Sequence, residues 1–199
     1  MLRIAALVSG NGTNLQAIIN AIEDGHLKNV EIAAVISTNH RAYALKRAQK
    51  HGITNAVFAK KDFATAKERE EGLTSFLQKH NVNLVVLCGS LMILGEKFIK
   101  AFENRIINIH PALLPNFGGK GYYGLAVHEA VLAAGVPVTG ATVHFVDKGI
   151  DTGRIILQKE VPVLPDDTPE TLQRRVMEEA EWKILPKAIE MFAKGDYNL

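Results

Sequence analysis

Three apolar runs, Ile4–Val8, Ile32–Ile36 and Leu84–Cys88, mark out the first half of the chain. They are rich in Val, Ile, Leu and Ala and do not alternate with polar residues, the pattern of short strands buried on both faces of a parallel sheet. Stretches with helical periodicity lie at Thr13–Asp24, Ala42–His51 and Thr65–His80. The resulting order, β-α-β-α-β-α-β, predicts right-handed crossovers and an α/β fold built on an open, mostly parallel, doubly wound sheet.

The second half is patterned differently. Arg105–Ile109 reads as a strand. Pro111, Pro115 and five glycines from Gly118 to Gly135 then punctuate a long connection that contains a short helix, Leu125–Ala134. Loops of that length are often functional. Thr139–Val146 and Ile155–Val161 alternate enough to be late strands flanking the loop Asp147–Arg154. Thr168-Pro169-Glu170 opens a last helix toward Ala193, with Thr168 as N-cap and proline at the first helical position. Pro186 is expected to kink or split that helix, because it removes an amide donor and crowds the preceding turn. The length, 199 residues, suits one core, so residues 1–199 are read as a single domain.

Charge narrows the function classes. Lys and Arg total 23 against 21 Asp and Glu, interspersed in sign, which disfavours nucleic acid as a partner. The one cysteine, Cys88, has no internal partner, and no Cys/His cluster has metal-ligand spacing. A reducing compartment, the cytoplasm, and no metal are expected. No apolar run approaches the ~20 residues that span a bilayer, so no membrane partner is expected.

Candidate chemistry sits at three places. The first strand runs into Ser9-Gly10-Asn11-Gly12-Thr13-Asn14 just as a helix begins. Glycines allow close backbone approach, and free amides at a helix start favour an anion such as phosphate. Leu15 stands where a dinucleotide fingerprint has its third glycine, and the second strand ends in Ser37-Thr38-Asn39 with no acid for a ribose. A single phosphate suits the turn better than a dinucleotide; a mere tight connection remains the alternative. In Asn108-Ile109-His110-Pro111, alternation sends Asn108 and His110 to the same side at the carboxyl edge of the sheet. An amide donor beside an imidazole can stabilise an oxyanion, although a lone histidine is more often structural. Asp151, in Gly149-Ile150-Asp151-Thr152-Gly153, is the expected partner of His110 and is expected to raise its pKa; a turn-forming Asp is the plain alternative. Thr142 and His144 share a strand face and are given a supporting role. Lys60, Lys61, Lys67 and Arg69 offer either an anion contact or a solvated helix face. Leu91, Met92, Ile93 and Leu94 either wall a pocket or belong to the core.

With these segments in view, the chain resembles the folate-dependent formyltransferases, specifically the phosphoribosylglycinamide formyltransferases. The resemblance runs over nearly the whole length and rests on Ser-Gly-Asn-Gly-Thr-Asn-Leu-Gln at 9–16, Asn-Ile-His-Pro-Ala-Leu-Leu-Pro at 108–115, Gly-Ala-Thr-Val-His-Phe-Val at 140–146 and Asp-Thr-Gly-Arg-Ile-Ile at 151–156. It implies a Rossmann-like formyltransferase fold and transfer of a formyl group from 10-formyltetrahydrofolate, a co-substrate, to the amine of glycinamide ribonucleotide in purine biosynthesis. By the same likeness Asn108, His110 and Asp151 are catalytic. Gly12, Thr13, Asn14 and Glu181 bind the ribonucleotide, and Leu91 to Leu94, Asn108 and Asp147, Lys148, Gly149, Ile150 and Asp151 hold the folate. Residues up to about 100 would chiefly serve the nucleotide, those beyond the folate and the chemistry, in a monomer or homodimer. Met92 stands where an arginine is common and Lys148 where an acid is usual. Ala66 replaces another arginine, with Lys67 beside it, and Glu181 comes one residue late counting from Val176. A folate formyl hydrolase and a non-enzymatic nucleotide-binding module are the rival readings.

Overall fold

The computed structural model describes residues 1–196. Seven strands, β1 (Leu2–Val8), β2 (Val30–Ser37), β3 (Asn55–Val57), β4 (Leu84–Leu87), β5 (Ile106–His110), β6 (Val138–Phe145) and β7 (Ile155–Pro162), form one sheet in the order β3-β2-β1-β4-β5-β6-β7. The first five run parallel, while β6 is antiparallel to both β5 and β7. Seven α-helices accompany them: α1 (Thr13–Glu23), α2 (Tyr43–Lys50), α3 (Ala66–Lys79), α4 (Glu96–Ala101), α5 (Leu125–Ala134), α6 (Pro169–Val176) and α7 (Trp182–Lys194).

The period of two along β1 sorts its side chains onto two cores. Ile4, Ala6 and Val8 pack with residues of α1, α2, α5, α6 and α7, such as Leu15, Ala48, Val131, Leu172 and Ile189. Ala5 and Leu7 pack on the opposite face with Leu73 and Leu77 of α3 and Phe98 of α4. Burial on both faces is why the parallel strands read as unbroken apolar runs. The expected α/β, mostly parallel, doubly wound architecture is what the chain adopts, and the late strands supply its antiparallel edge.

Helix ends follow local chemistry. Thr65 caps α3 by accepting from the Glu68 amide, and Thr168 and Thr171 form a reciprocal capping box ahead of Pro169 at the start of α6. Two features depart from the sequence expectations. The six-residue α4 was not anticipated, being too short to display a period. The last helix is interrupted not at Pro186, which lies inside α7, but at a π-helical turn over Met177–Glu181. A π turn is one residue wider than an α turn. It ends on Glu181 and hands over directly to α7, within which Pro186 lies.

Order reverses between β1, which continues to β2 on one side, and β4 on the other. The carboxyl ends of these strands are the topological switch point, where open α/β sheets place ligands. Both the Ser9–Asn14 turn and the Gly89-Ser90 segment leave the sheet there.

Candidate active site

Register builds the centre of the site. Asn108 pairs with His144 and His110 with Thr142 across the antiparallel β5–β6 ladder, so the four side chains lie on one face. The β6–β7 connection folds back over that face and delivers Asp151, whose backbone adopts the left-handed region at φ 58. Gly153 permits this close return, because a Cβ there would lie 1.7 Å from the Phe145 carbonyl oxygen. Asp147 secures the connection by accepting from the Gly149 amide at 3.0 Å and the Thr152 hydroxyl at 2.6 Å.

Asp151 stands at the hub. Its Oδ2 lies 3.5 Å from His110 Nδ1 and accepts from the Gly119 amide at 3.0 Å. Its Oδ1 lies 3.5 Å from both His144 Nε2 and the Asn108 amide nitrogen. His110 Nε2 is 2.8 Å from the Phe117 carbonyl, which only accepts, so Nε2 carries a proton and Nδ1 is the nitrogen turned to the carboxylate. His144 Nδ1 likewise donates to the Phe145 carbonyl, leaving its Nε2 to accept from Asn108 at 3.1 Å. One hydrogen of the Asn108 amide is thus committed to His144, and the other makes only the long contact to Asp151. Thr142 is buried and braces the neighbouring loop, donating to the Ala112 carbonyl at 2.7 Å and accepting from the Leu114 amide at 3.1 Å.

Electrostatics corrects one expectation. Burial lowers the His110 pKa by more than the Asp151 carboxylate raises it, so the net shift is downward. For Asp151, burial acts to raise the pKa. The nearby His144, the Gly119 amide and the positive charge that either histidine carries when protonated outweigh it and hold the carboxyl below its ordinary value.

These residues line one cleft of about 900 Å³, and the Ser9–Asn14 turn forms another part of its wall. Gly12 sits at φ 74, and a Cβ on it would meet Ala44 Cβ at 2.6 Å, so the turn accepts only glycine there. Asn14 donates to Glu181 Oε2 at 2.5 Å, and both are buried. Burial pushes the Glu181 carboxyl up to about 7, against the opposing hydrogen bond from Asn14. Burial, with Glu181 nearby, also raises the Cys88 thiol.

All of Leu91 to Leu94 line the cleft, and the alternatives of wall and core are both realised. Met92 and Leu94 pack on the α3/α4 core, while Leu91 and Ile93 are 64% and 81% exposed. Lys148, Gly149 and Ile150 join the lining, with Lys148 3.3 Å from Glu96 on the surface. Lys60, Lys61, Lys67 and Arg69 do not reach the cleft; Lys67 makes an exposed pair with Glu71 at 3.9 Å. Sequence reasoning missed Lys120, Tyr122, Tyr123, His128, Gln173 and Met177, which also line it. The glycine-rich spacing around Lys120 was a usable signal. His128 reads as an ordinary position on an apolar helix, although it is fully buried, neither ring nitrogen has a hydrogen-bond partner among the described residues, and burial and then His110 bring its pKa down to about 4.

A glycine-rich turn at the switch point and an Asn/His/Asp cluster at the carboxyl edge of a doubly wound sheet share one cleft, an arrangement chemically able to bind an anion and to move a proton. Comparison with known proteins identifies the group. Residues 2–189 match the formyl transferase family, and the chain belongs to it. It is 41% identical over 199 residues to phosphoribosylglycinamide formyltransferase of Haemophilus influenzae, covering 100% of this chain and 91% of that protein. It is also 40% identical to part of the Drosophila melanogaster trifunctional purine biosynthetic protein adenosine-3, of which it covers 14%. Among solved structures it resembles glycinamide ribonucleotide transformylase 1 of Symbiobacterium toebii, with a TM-score of 0.93 at 42% identity, covering 100% of this chain and 91% of that one. The phosphoribosylglycinamide formyltransferase of Coxiella burnetii superposes with a TM-score of 0.91 at 42% identity, covering 100% and 90%. No helix among the described residues is long and apolar enough to cross a membrane.

Proposed function

We propose that the protein transfers the formyl group of 10-formyltetrahydrofolate to the amine of glycinamide ribonucleotide; the names of its relatives give the acceptor and the transferred group, and the folate donor is part of the proposal. The observation that carries this reading is the convergence of Asn108, His110 and His144 on Asp151 in the cleft that also receives the glycine-rich turn. In this reading the amides at Gly12, Thr13 and Asn14 take the phosphate. Glu181, held by Asn14, faces the sugar. Leu91 to Leu94 and the Asp147–Asp151 backbone hold the folate, whose flat pterin suits an apolar wall with backbone polar groups at its edge. Residues 1–199 act as one domain, with about 1–100 serving chiefly the nucleotide and the rest the folate and chemistry; Leu91–Leu94 and Glu181 cross that division.

The substrate amine adds to the formyl carbon, and negative charge gathers on the formyl oxygen. The second Asn108 amide hydrogen, held only by its 3.5 Å contact to Asp151, is free to turn to that oxygen. Asp151 steadies the proton on His110 Nδ1, and the pair passes the amine's proton to N10 as its bond to the formyl carbon breaks. Because burial disfavours the imidazolium, Asp151 must be ionised for His110 to carry that proton. The test follows deformylation of 10-formyltetrahydrofolate spectroscopically with and without glycinamide ribonucleotide. Turnover that requires the ribonucleotide supports the transferase; equal turnover without it would assign a hydrolase, and binding without turnover a nucleotide-binding module.

A further inference from the structure

Residues 9–14 carry no charged side chain, and the cations lining the cleft are Lys120 and Lys148, outside that turn. A phosphate bound there would meet neutral amides and the start of α1. Behind the turn, however, lies Arg47 of α2. Its Nε donates to the Asn11 carbonyl at 2.9 Å, one terminal nitrogen donates to Gln16 Oε1 at 2.9 Å, and the other reaches Asn11 Oδ1 at 3.5 Å. The guanidinium also stands over the Tyr43 ring, 5.0 Å from its centroid. Every one of these acceptors is neutral, and Arg47 makes no ion pair among the described residues. Its charge therefore stays uncompensated.

The contact falls on the peptide between Asn11 and Gly12. A cation on that carbonyl draws electron density along the amide and makes the Gly12 N–H a stronger donor on the cleft side. The same helix fixes the turn sterically: the Ala44 amide donates to the Gly10 carbonyl at 3.2 Å, and Ala44 leaves room only for glycine at position 12. We propose that Arg47 is a positioning residue for the anion subsite, holding and polarising the Asn11–Gly12 peptide without touching the ligand. This rests on the ribonucleotide reading of the turn given above.

The test is calorimetric titration of inorganic phosphate, glycinamide ribonucleotide and the dephosphorylated ribonucleoside into the full-length protein and its Arg47→Ala, Arg47→Gln and Arg47→Lys variants. The neutral variants should bind phosphate and ribonucleotide about tenfold more weakly, the scale of one charge-assisted interaction at a part-exposed site. Ribonucleoside binding should not change, and kcat at saturation should stay near wild type while KM for the ribonucleotide rises. Arg47→Lys should recover part of the loss. Arg47→Gln keeps a polar tip without charge, so it separates electrostatics from packing if Arg47→Ala folds poorly. Unchanged phosphate affinity in the neutral variants, or equal weakening of ribonucleoside and ribonucleotide, would overturn the assignment of Arg47 and leave the proposed reaction standing. A wild-type protein that binds the ribonucleoside as tightly as the ribonucleotide, and no phosphate, would overturn the phosphate reading of the turn itself.

Discussion

Asp151→Asn isolates the charge at the hub from its shape. Asn occupies left-handed backbone as readily as Asp does, so φ 58 is no obstacle, and its amide oxygen can still accept from Gly119. What disappears is the negative charge 3.5 Å from His110 Nδ1. At about 4 Å, close to this separation, a unit pair is worth about 1 kcal/mol in water and about 4 kcal/mol at an effective dielectric of about 20. The site is largely buried, so the imidazolium population of His110 should fall by roughly 10- to 1000-fold at neutral pH. Its pKa, already lowered by burial, moves further down once the contribution that raises it is gone. The assay is kcat for formyl transfer against pH, paired with NMR titration of His110. The variant should lose ~10- to 1000-fold in kcat at pH 7 and recover as pH falls. Because Asp151 titrates below its ordinary value, its ionised form stabilises the fold above the unfolded pKa and ceases to do so as pH falls through the folded one. Melting temperatures of the two proteins should therefore converge in acid. A His110 titration that is the same in both proteins would refute the coupling.

Other expectations follow from single contacts. Asn108→Ala should lower kcat by ~10²–10³, the usual effect of losing one oxyanion donor, and His110→Ala by ~10²–10⁴, the usual effect of losing a proton-transfer group, both measured by initial rates at saturating substrates. Gly12→Ala adds left-handed strain to the 2.6 Å contact with Ala44 and should destabilise by about 2–4 kcal/mol in urea unfolding. The Glu181 carboxyl is raised to about 7 in the fold, so it favours folding fully below its unfolded pKa, and that advantage is lost as pH rises through 7. Glu181→Gln should flatten this dependence, which is on the order of 3 kcal/mol between pH 4 and 8 by denaturant titration.

Much of the framework was legible because its signals are local. The runs at Ile4–Val8 and Leu84–Cys88 are the cores of β1 and β4, and the helical period over Ala42–His51 spans α2 together with its two flanking cap residues. Asn108 and His110 were found by alternation along one strand, and Asp151 by residue type in a glycine-bounded loop. What escaped depends on distance in sequence or on burial. The pairing of Asn108 with His144 is set by an antiparallel ladder across 36 positions, so the sequence offers His144 a supporting role without showing that it contacts both Asn108 and Asp151. The direction of the His110 shift turns on how completely the loops cover it, which no local pattern reports. Arg47 reaches Asn11 from another helix, and in the sequence it is one cation among many. The π turn over Met177–Glu181, which immediately precedes α7 and ends on the buried partner of Asn14, has no local pattern that reports it.

The central claim is that one cleft joins a formyl donor to a ribonucleotide amine. Supplying 10-formyltetrahydrofolate labelled with ¹³C in the formyl group, together with glycinamide ribonucleotide, and locating the label by mass spectrometry tests it directly. The account predicts that the label appears on the ribonucleotide, in step with loss of the formyl group from the folate. Label released as free formate, with the ribonucleotide unmodified, would contradict it.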